Sequence, residues 1–581
     1  MKKSRPPGIR PYDHPAGGWD ALKAVAKTLA RQQIVAQGSR TLLKANQPEG
    51  FDCPGCAWPD PKHTSSFEFC ENGAKAITWE STAKRTDASF FSNHTVSELW
   101  DWTDHELEDA GRLTLPLRYN PVVDRYEPID WGEAFGLIAS GLNKLGSPDQ
   151  AEFYTSGRSS NEAAFLYQLF VRAYGTNNFP DCSNMCHEAT SVGLPKSIGV
   201  GKGTVTLEDF DHADAIFSFG HNPGTNHPRM MTTLHQAARR GVPIIVFNPL
   251  KERALERFAA PQDPVEMVTM SSIDGRAKAL ICLGGNLAVA MSDPQATFAG
   301  MRNLDLSVHI ATKLNRSHLL TARTTLVLPC LGRTDLDLQA SGPQSVTVED
   351  SMSMVHASRG FLNPPGESIR SEPAIIAGIA KATLGDRHGI NWDEMIANYD
   401  LIRDKIEEVF PQFSEFNTRV RKPGGFRLDV AASFRRWNTP DGKANFLTSP
   451  QLFEDSPSAD EDVLMLTTIR SHGQYNTTIY GLDDRYRGVF GRRDVVFMNT
   501  EDLADRGLKD GDRIDVLGLI GGPGDKHLVS GFTAVTYDIP RGSIAGYYPE
   551  MNVVMSLHHY DRQSGTPSYK GVPVRVAAAA S

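Results

Sequence analysis

The chain of 581 residues contains no run of about 18 apolar residues, so no segment reads as a transmembrane helix. Its opening, "MKKSRPPGIRPYDHPAGGWD", is basic, yet no apolar stretch follows and no paired arginines stand in it. That excludes the pattern of an export signal and points to the cytoplasm. Cysteine is scarce, with seven in all. A small, odd number in a large chain excludes a disulfide framework and fits reduced thiols with a few metal ligands. An excess of basic residues is lacking too. The 60 Lys and Arg against 69 Asp and Glu leave a net charge of −9, which argues against nucleic acid and anionic membranes as partners. Tandem repeats and low-complexity tracts are also missing.

What is present is a globular composition, 40% apolar and 22% charged. At roughly 100–200 residues per domain, the length supports several domains or one large multi-lobed enzyme. Residues 1–50 read as an N-terminal extension with a helix near Trp19–Gln37. Residues 51–130 carry three cysteines and many turn formers, and read as loop-rich with short strands. From 131 to 360 an α/β rhythm runs. "DWGEAFGLIASGLNKLG" has apolar residues at helical spacing and Asp130 as an N-cap. "AEFYTSGRSSNEAAFLYQLFVRAYGTNN" reads strand, Gly-containing turn, helix. "ADAIFSFGHNPGTNHP", "GVPIIVFNP" and "AKALICLGGNLAV" are short apolar strands running into loops with Gly, Asn or His. The strands themselves are sheet core; in open parallel sheets, ligands gather at the carboxyl ends of such strands. Residues 361–460 read as a helical stretch with the linkers "LNPPGES" and "RKPGG". Residues 461–581 are β-rich, and "DGDRIDV" is a tight turn into a strand of a small barrel.

Two groups of residues carry chemistry. "FDCPGCAWPDPKHTSSFEFCENGAKA" sets Cys53 and Cys56 as C-x2-C, with Cys70 following. The turn between the first two aims both sulfurs inward, so they can hold one metal or part of an iron–sulfur cluster. His63 or Asp60 could supply a fourth ligand, and a structural zinc on Cys53, Cys56, His63 and Cys70 is the rival. Lys75, five residues past Cys70, is on its own a solvated charge. The second group is Cys186 directly before His187, in the loop "NNFPDCSNMCHEATSVGL". A lone thiol beside an imidazole is, without context, a coincidence, and Cys182 is a ligand candidate on spacing alone.

The Cys186–His187 pair after "YGTNN", with "GHNPGTNHP" downstream and "RSHGQYNTTIYG" near the end, resembles the molybdopterin oxidoreductase superfamily, in its formate dehydrogenase alpha-subunit-like (YdeP-type) group. The resemblance runs from about residue 51 to the C-terminus. It implies a multi-domain α/β fold of the formate dehydrogenase/DMSO reductase kind, with doubly wound α/β domains and a C-terminal β-barrel domain that binds the pterin dinucleotide. It implies Mo-bis(molybdopterin guanine dinucleotide) as cofactor, with Cys186 as the molybdenum ligand and His187 facing a small-molecule substrate. A soft thiolate suits that metal, and an imidazole can shuttle a proton near neutral pH. By the same resemblance a [4Fe-4S] cluster sits on Cys53, Cys56 and Cys70, with Lys75 between cluster and pterin. The cofactor-binding stretches are then Gly220, His221, Asn222, Pro223 and His227; Asn248 and Pro249; Asp263; Gly284, Gly285 and Asn286; and Arg470, His472, Gly473 and Tyr475.

The chain departs from the family pattern in three places. Cluster-bearing members show C-x2-C-x3-C, and Asp60 stands where the third cysteine would be. A long α/β segment is missing near Ser272–Ile273, which reads as an internal deletion or as two joined pieces. With it goes the active-site arginine of the formate dehydrogenases. No nicotinamide or flavin fingerprint appears either: "GLIGGPGD" follows a β-rich stretch with no helix after it. Electrons would therefore leave to a separate partner. The expected activity is two-electron oxidation of formate. The alternatives are an oxyanion (nitrate-type) reductase on the same scaffold, or a catalytically silent zinc-containing scaffold or stress-response protein.

Overall fold

The computed structural model describes residues 7–15, 17–61, 65–254, 276–448, 462–521 and 527–580. Two short helices open it, α1 (Trp19–Arg31) and α2 (Val35–Leu42). They replace the single expected helix because Gln33 takes φ 60°, a left-handed turn that breaks the run. Helix α3 (Glu71–Glu80) follows the three cysteines, with the Cys70 sulfur as its N-cap acceptor. Three further short helices follow before residue 110, so this part is more helical than its turn-rich composition suggests.

A six-stranded sheet forms the centre. It is built from the hairpin β1 (Leu117–Asn120) and β2 (Arg125–Pro128), then β3 (Ala151–Thr155). Helix α4 (Trp131–Asn143) precedes β3, with Asp130 accepting from the Glu133 amide at 2.8 Å. Helix α5 (Asn161–Tyr174) follows it, capped by Ser160 and closed by left-handed Gly175. Then come the short helix α6 (Cys182–Cys186), α7 (Glu188–Ile198), β4 (Ile216–Phe219), α8 (Met230–Arg239) and β5 (Ile244–Phe247). The sheet is completed by β6 (Ala279–Leu283), β7 (Leu306–Ala311) and β8 (Thr324–Pro329). Its order is β2-β1-β8-β7-β6-β3, with the last four strands parallel. The hairpin before residue 131 thus belongs to the same sheet as the strands after it, and the expected boundary at 130/131 cuts through one structural unit. Strands β6 and β7 are buried along their whole length, as parallel strands covered on both faces should be.

A second hairpin, β9 (Val346–Glu349) and β10 (Met354–Ser358), precedes helices α9 (Glu372–Leu384) and α10 (Tyr399–Val409). Ile375, Ile379, Tyr399 and Ile402 share one apolar core with Phe153, Phe170, Ile281 and Val308. The helices between residues 372 and 420 are therefore packed into the core of the main sheet. Strands β4 and β5 stand apart as a two-stranded parallel sheet. The C-terminal part is a closed six-stranded barrel of β11 (Leu464–Ile469), β12 (Val495–Met498), β13 (Arg513–Gly518), β14 (Leu528–Thr536), β15 (Ser543–Tyr547) and β16 (Val572–Ala578), in the order β11-β15-β12-β14-β13-β16. Its interior is filled by Leu466, Val496, Ile514, Ile544 and Val574. No helix among the described residues is long and apolar enough to cross a membrane.

Candidate active site and metal centres

The parallel strands all end at one cavity of about 1290 Å³, larger than the ~300–1,000 Å³ of ordinary small-molecule pockets. Strand β3 delivers Ser156, Gly157 and Arg158 to its wall, β4 delivers Gly220 and Asn222, and β5 delivers Asn248 and Pro249. From β6 come Gly284, Gly285 and Asn286; from β7, Lys313; from β8, Arg333. The glycine pair after β6 has φ of +71° and +81°, and a Cβ on Gly285 would lie 3.0 Å from the Tyr154 ring. Only glycine suits that turn. The barrel closes the cavity from the other side with Arg470, Tyr475, Tyr548, Tyr569 and Lys570.

Cys186 and His187 lie on this wall. Their loop is fixed by the segment before it, which runs beside β3. The Phe153 amide donates to the Asn178 carbonyl at 3.0 Å, and the Thr155 amide to the Pro180 carbonyl at 3.2 Å. Asp181 then caps α6, and Cys186 ends it. Cys186 is exposed, while Cys182 is half-buried against Tyr154 and Met185. Burial pushes the Cys182 thiol up to about 11, helped by Asp181 and Cys186. Both cysteines line the cavity, and Cys186 is the more exposed of the two.

Of the residues expected to bind the cofactor, Gly220, Asn222, His227, Asn248, Pro249, Gly284, Gly285, Asn286, Arg470 and Tyr475 line the cavity. Pro223, Gly473 and His221 are not on its wall; His221 sits behind it, its Nε2 3.2 Å from His227 Nδ1. Lys75 and His472 are turned elsewhere. Lys75 Nζ is 2.9 Å and His472 Nε2 3.2 Å from Glu71 Oε1, and Arg485 Nη1 completes the group at 2.8 Å. Glu71 is close to fully buried and needs those cations, which is why Lys75 does not reach the cavity. Asp263, His63 and the junction near Ser272–Ile273 lie outside the described residues.

Several wall residues carry no local signal in the sequence. Arg158 and Arg333 follow strands β3 and β8, and the strand-end argument used for the other loops would have found them. Lys570, Tyr548 and Tyr569 come from the barrel and have no such cue. Among the described residues, Arg158, Arg333, Arg470 and Lys570 make no ion pair with a carboxylate; they bond to carbonyls and to Asn476. Burial and neighbouring cations push the Lys570 ammonium down to about 8 and the Arg333 guanidinium to about 10. Arg158 Nε and Asn286 Nδ2 are buried donors without acceptors. Unpaired cations and orphaned donors around one cavity fit a polyanionic ligand, so the wall suits pterin dinucleotides with their pyrophosphates.

Cys53, Cys56 and Cys70 line one small pocket with Asn72, Arg229 and Tyr475. The Cys53 sulfur accepts from the Gly55 amide and the Cys70 sulfur from the Gly73 amide, each at 3.3 Å. Burial and the neighbouring thiols push Cys53 up to about 12 and Cys70 up to about 11. Tyr475 and Asn226 line both this pocket and the large cavity. Asp60 is absent from the pocket and meets Arg229 Nη2 at 2.9 Å instead.

Comparison with known proteins agrees with this geometry. Residues 112–317 match the family described as "Molybdopterin oxidoreductase", and residues 464–573 match the "Molydopterin dinucleotide binding domain". Protein YdeP of Escherichia coli strain K12 is 42% identical, across 99% of this chain and 100% of its own length. The uncharacterized oxidoreductase Rv2900c of Mycobacterium tuberculosis is 36% identical, across 98% and 96%. Formate dehydrogenase H of Escherichia coli matches only 26% of this chain and 22% of its own, at 32% identity. The solved acetylene hydratase of Pelobacter acetylenicus shares the fold at a TM-score of 0.57 and 13% identity, covering 83% of this chain and 93% of that one. The alignment with YdeP spans 760 positions. This chain has 581 residues, so at least 179 of those positions (760 less 581) hold none of them. Nearly all of this chain and all of YdeP are covered, so the missing positions are internal. On its site, its fold and its relatives together, the chain belongs to the molybdopterin oxidoreductase family.

Proposed function

We propose that the chain carries Mo-bis(molybdopterin guanine dinucleotide) in the large cavity and a [4Fe-4S] cluster on Cys53, Cys56 and Cys70, and that it oxidises formate to carbon dioxide. The observation that carries this reading is the exposed thiol of Cys186, beside His187, in a cavity whose wall includes four cations without a carboxylate ion pair, Arg158, Arg333, Arg470 and Lys570. When bound, these groups supply a two-electron acceptor and a one-electron exit. The chain does the rest. Cys186 Sγ is the metal ligand. Arg158, Arg333, Arg470 and Lys570 hold the phosphates, and the turns at Gly220 and at Gly284–Gly285 leave room for backbone amides to approach them. Oxidation of formate releases one carbon dioxide, one proton and two electrons. The His187 imidazole would take the proton, and the bound groups would supply the route for the two electrons to a separate protein partner, with Tyr475 standing between the two pockets. The local match to formate dehydrogenase H supports formate over nitrate-type oxyanions.

Elemental and pterin assay of protein made in a host that assembles both cofactors tests this. Expected are molybdenum, about four irons per chain, formate-dependent dye reduction, and loss of one sulfur neighbour of molybdenum in Cys186→Ser by X-ray absorption. Finding neither molybdenum nor pterin would sink it. That result would favour a second reading, a silent scaffold that kept the fold, which the 179 or more missing positions support.

A further inference from the structure

Beside the thiol pocket, but not part of it, lies a second group of ligand-type side chains. One ligand atom each of Asp52, Asp60 and His356 lie within 4.8 Å of one another. They come from distant parts of the chain: Asp52 and Asp60 flank the C-x2-C turn, and His356 is on β10. The imidazole Nδ1 is 3.0 Å from Asp52 Oδ1. Its Nε2 has no partner and faces Asp350 Oδ2 at 4.0 Å.

Asp350 is the independent sign of a ligand. Its side chain is only 5% exposed. Its Oδ1 accepts from the amides of Met352 at 2.8 Å and Met354 at 3.0 Å. Its Oδ2 is buried without any donor and points at the imidazole. Asp52 Oδ2 is likewise buried without a donor. Orphaned carboxylate oxygens cost free energy unless something positive meets them. A gap of 4.0 Å is too long for a hydrogen bond. At bonds of about 2.0–2.2 Å it matches two ligand atoms on nearly opposite sides of one metal, and not a tetrahedral pair.

Arg229 lies 2.9 Å from Asp60 and 3.1 Å from Glu68. Lys202 pairs with Glu349 and also faces Asp350, and Arg333 faces Asp52. None of these cations gives a hydrogen bond to Asp52 Oδ2 or Asp350 Oδ2. Oxygen donors with one imidazole and no sulfur suit Mn²⁺, Fe²⁺ or Zn²⁺.

We propose that Asp52, Asp60 and His356, with Asp350 at the margin, hold a first-row divalent cation that pins the C-x2-C turn to the β9–β10 hairpin. Asp60, at the place of the family's third cluster cysteine, then serves a different metal. The site stands whether or not the large cavity is catalytically active.

The test uses the full-length protein with its iron and molybdenum contents measured. Mn²⁺ is titrated in, the free-ion EPR signal is followed, and zinc and manganese retained after desalting are counted. Expected is one saturable site, weakened about tenfold or more in His356→Gln and in the near-isosteric Asp350→Asn, with iron and molybdenum per chain unchanged. If His356→Gln does not fold, Asp350→Asn decides alone. Absence of saturable Mn²⁺ and Zn²⁺ binding in the parent, or parental affinity in the folded variants, would overturn the proposal and leave a proton on His356 as the neutralising charge.

Discussion

His309 and His318 sit with their rings 5.0 Å apart, both almost fully buried under the main sheet. His309 Nε2 is 2.9 Å from Ser307 Oγ, and His318 Nδ1 accepts from the Asn315 amide at 3.1 Å. Burial pushes His309 down to about 4, and burial with His309 alongside pushes His318 well below its ordinary value. The sign follows from proton counting. Between about pH 6.5 and 4 the unfolded chain binds a proton at His309 that the folded chain does not, so stability rises with pH there. The contribution is full above about 6.5 and lost as pH falls toward 4. Its total is about 3 kcal/mol, of which about 2 is gone by pH 5. Denaturant midpoints measured from pH 7.5 to pH 5 should therefore fall, and His309→Gln should fall less steeply. Equal slopes in parent and variant would remove the assignment. A histidine inside the apolar run "LSVHIA" gives no hint from sequence of whether it is a ligand or a buried neutral ring. Its neighbours decide that, and they come from another element.

Helices α5 and α10 and strand β9 are tied by one charged knot. Arg403 Nη1 lies 2.8 Å from Glu162 Oε1, with side chains 4% and 0% exposed. Glu162 also accepts from the Thr347 amide at 2.8 Å and its hydroxyl at 3.0 Å. Removing one partner leaves the other charge stranded in the interior. Arg403→Met should cost about 3–5 kcal/mol by denaturant unfolding, and adding Glu162→Leu should restore most of it. If the double variant is as unstable as the single one, the knot is a packing feature rather than an electrostatic one. This is also the scale at which the sequence was most and least readable. Helix α4 with its Asp130 cap, strands β3 to β6 and the loops after β4, β5 and β6 follow from local periodicity and turn residues, and those loops reach the cavity. Lys75, a solvated charge by its local sequence, is buried because Glu71, a buried carboxylate one helical turn away, pairs with it. Asp350 and His356 carry no local sequence cue; Asp52 and Asp60 are some 300 residues away.

At the scale of the whole molecule, the missing internal positions have a physical counterpart. Strands β6 and β7 are buried end to end, yet among the described residues β4 and β5 make a sheet of two strands. Phe217 is 58% exposed and Phe219 68%, although a strand with Phe at alternate positions is patterned to bury that face. Phe219 stacks on the Phe247 ring at 4.6 Å, and both line the large cavity. Leu234 of α8 with Ile244 and Val246 is the small core that holds this sheet. Two strands and one helix are marginal by themselves. Among the described residues, this two-stranded sheet is thus weakly supported, in a chain that lacks internal positions YdeP has. The consequence is a steep difference in local stability. Amides of β4 and β5 should exchange with solvent through local opening, well before those of β6, β7 and β8, which should exchange only near the limit of global unfolding. Phe217→Ser should change overall stability by no more than about 0.5 kcal/mol, because most of that ring is already in water. Hydrogen exchange followed by mass spectrometry reads both sheets in one experiment. Protection of β4 and β5 equal to that of β6–β8 would mean that this sheet is complete as it stands. In that case the loss of 179 or more positions took nothing the remaining chain depends on.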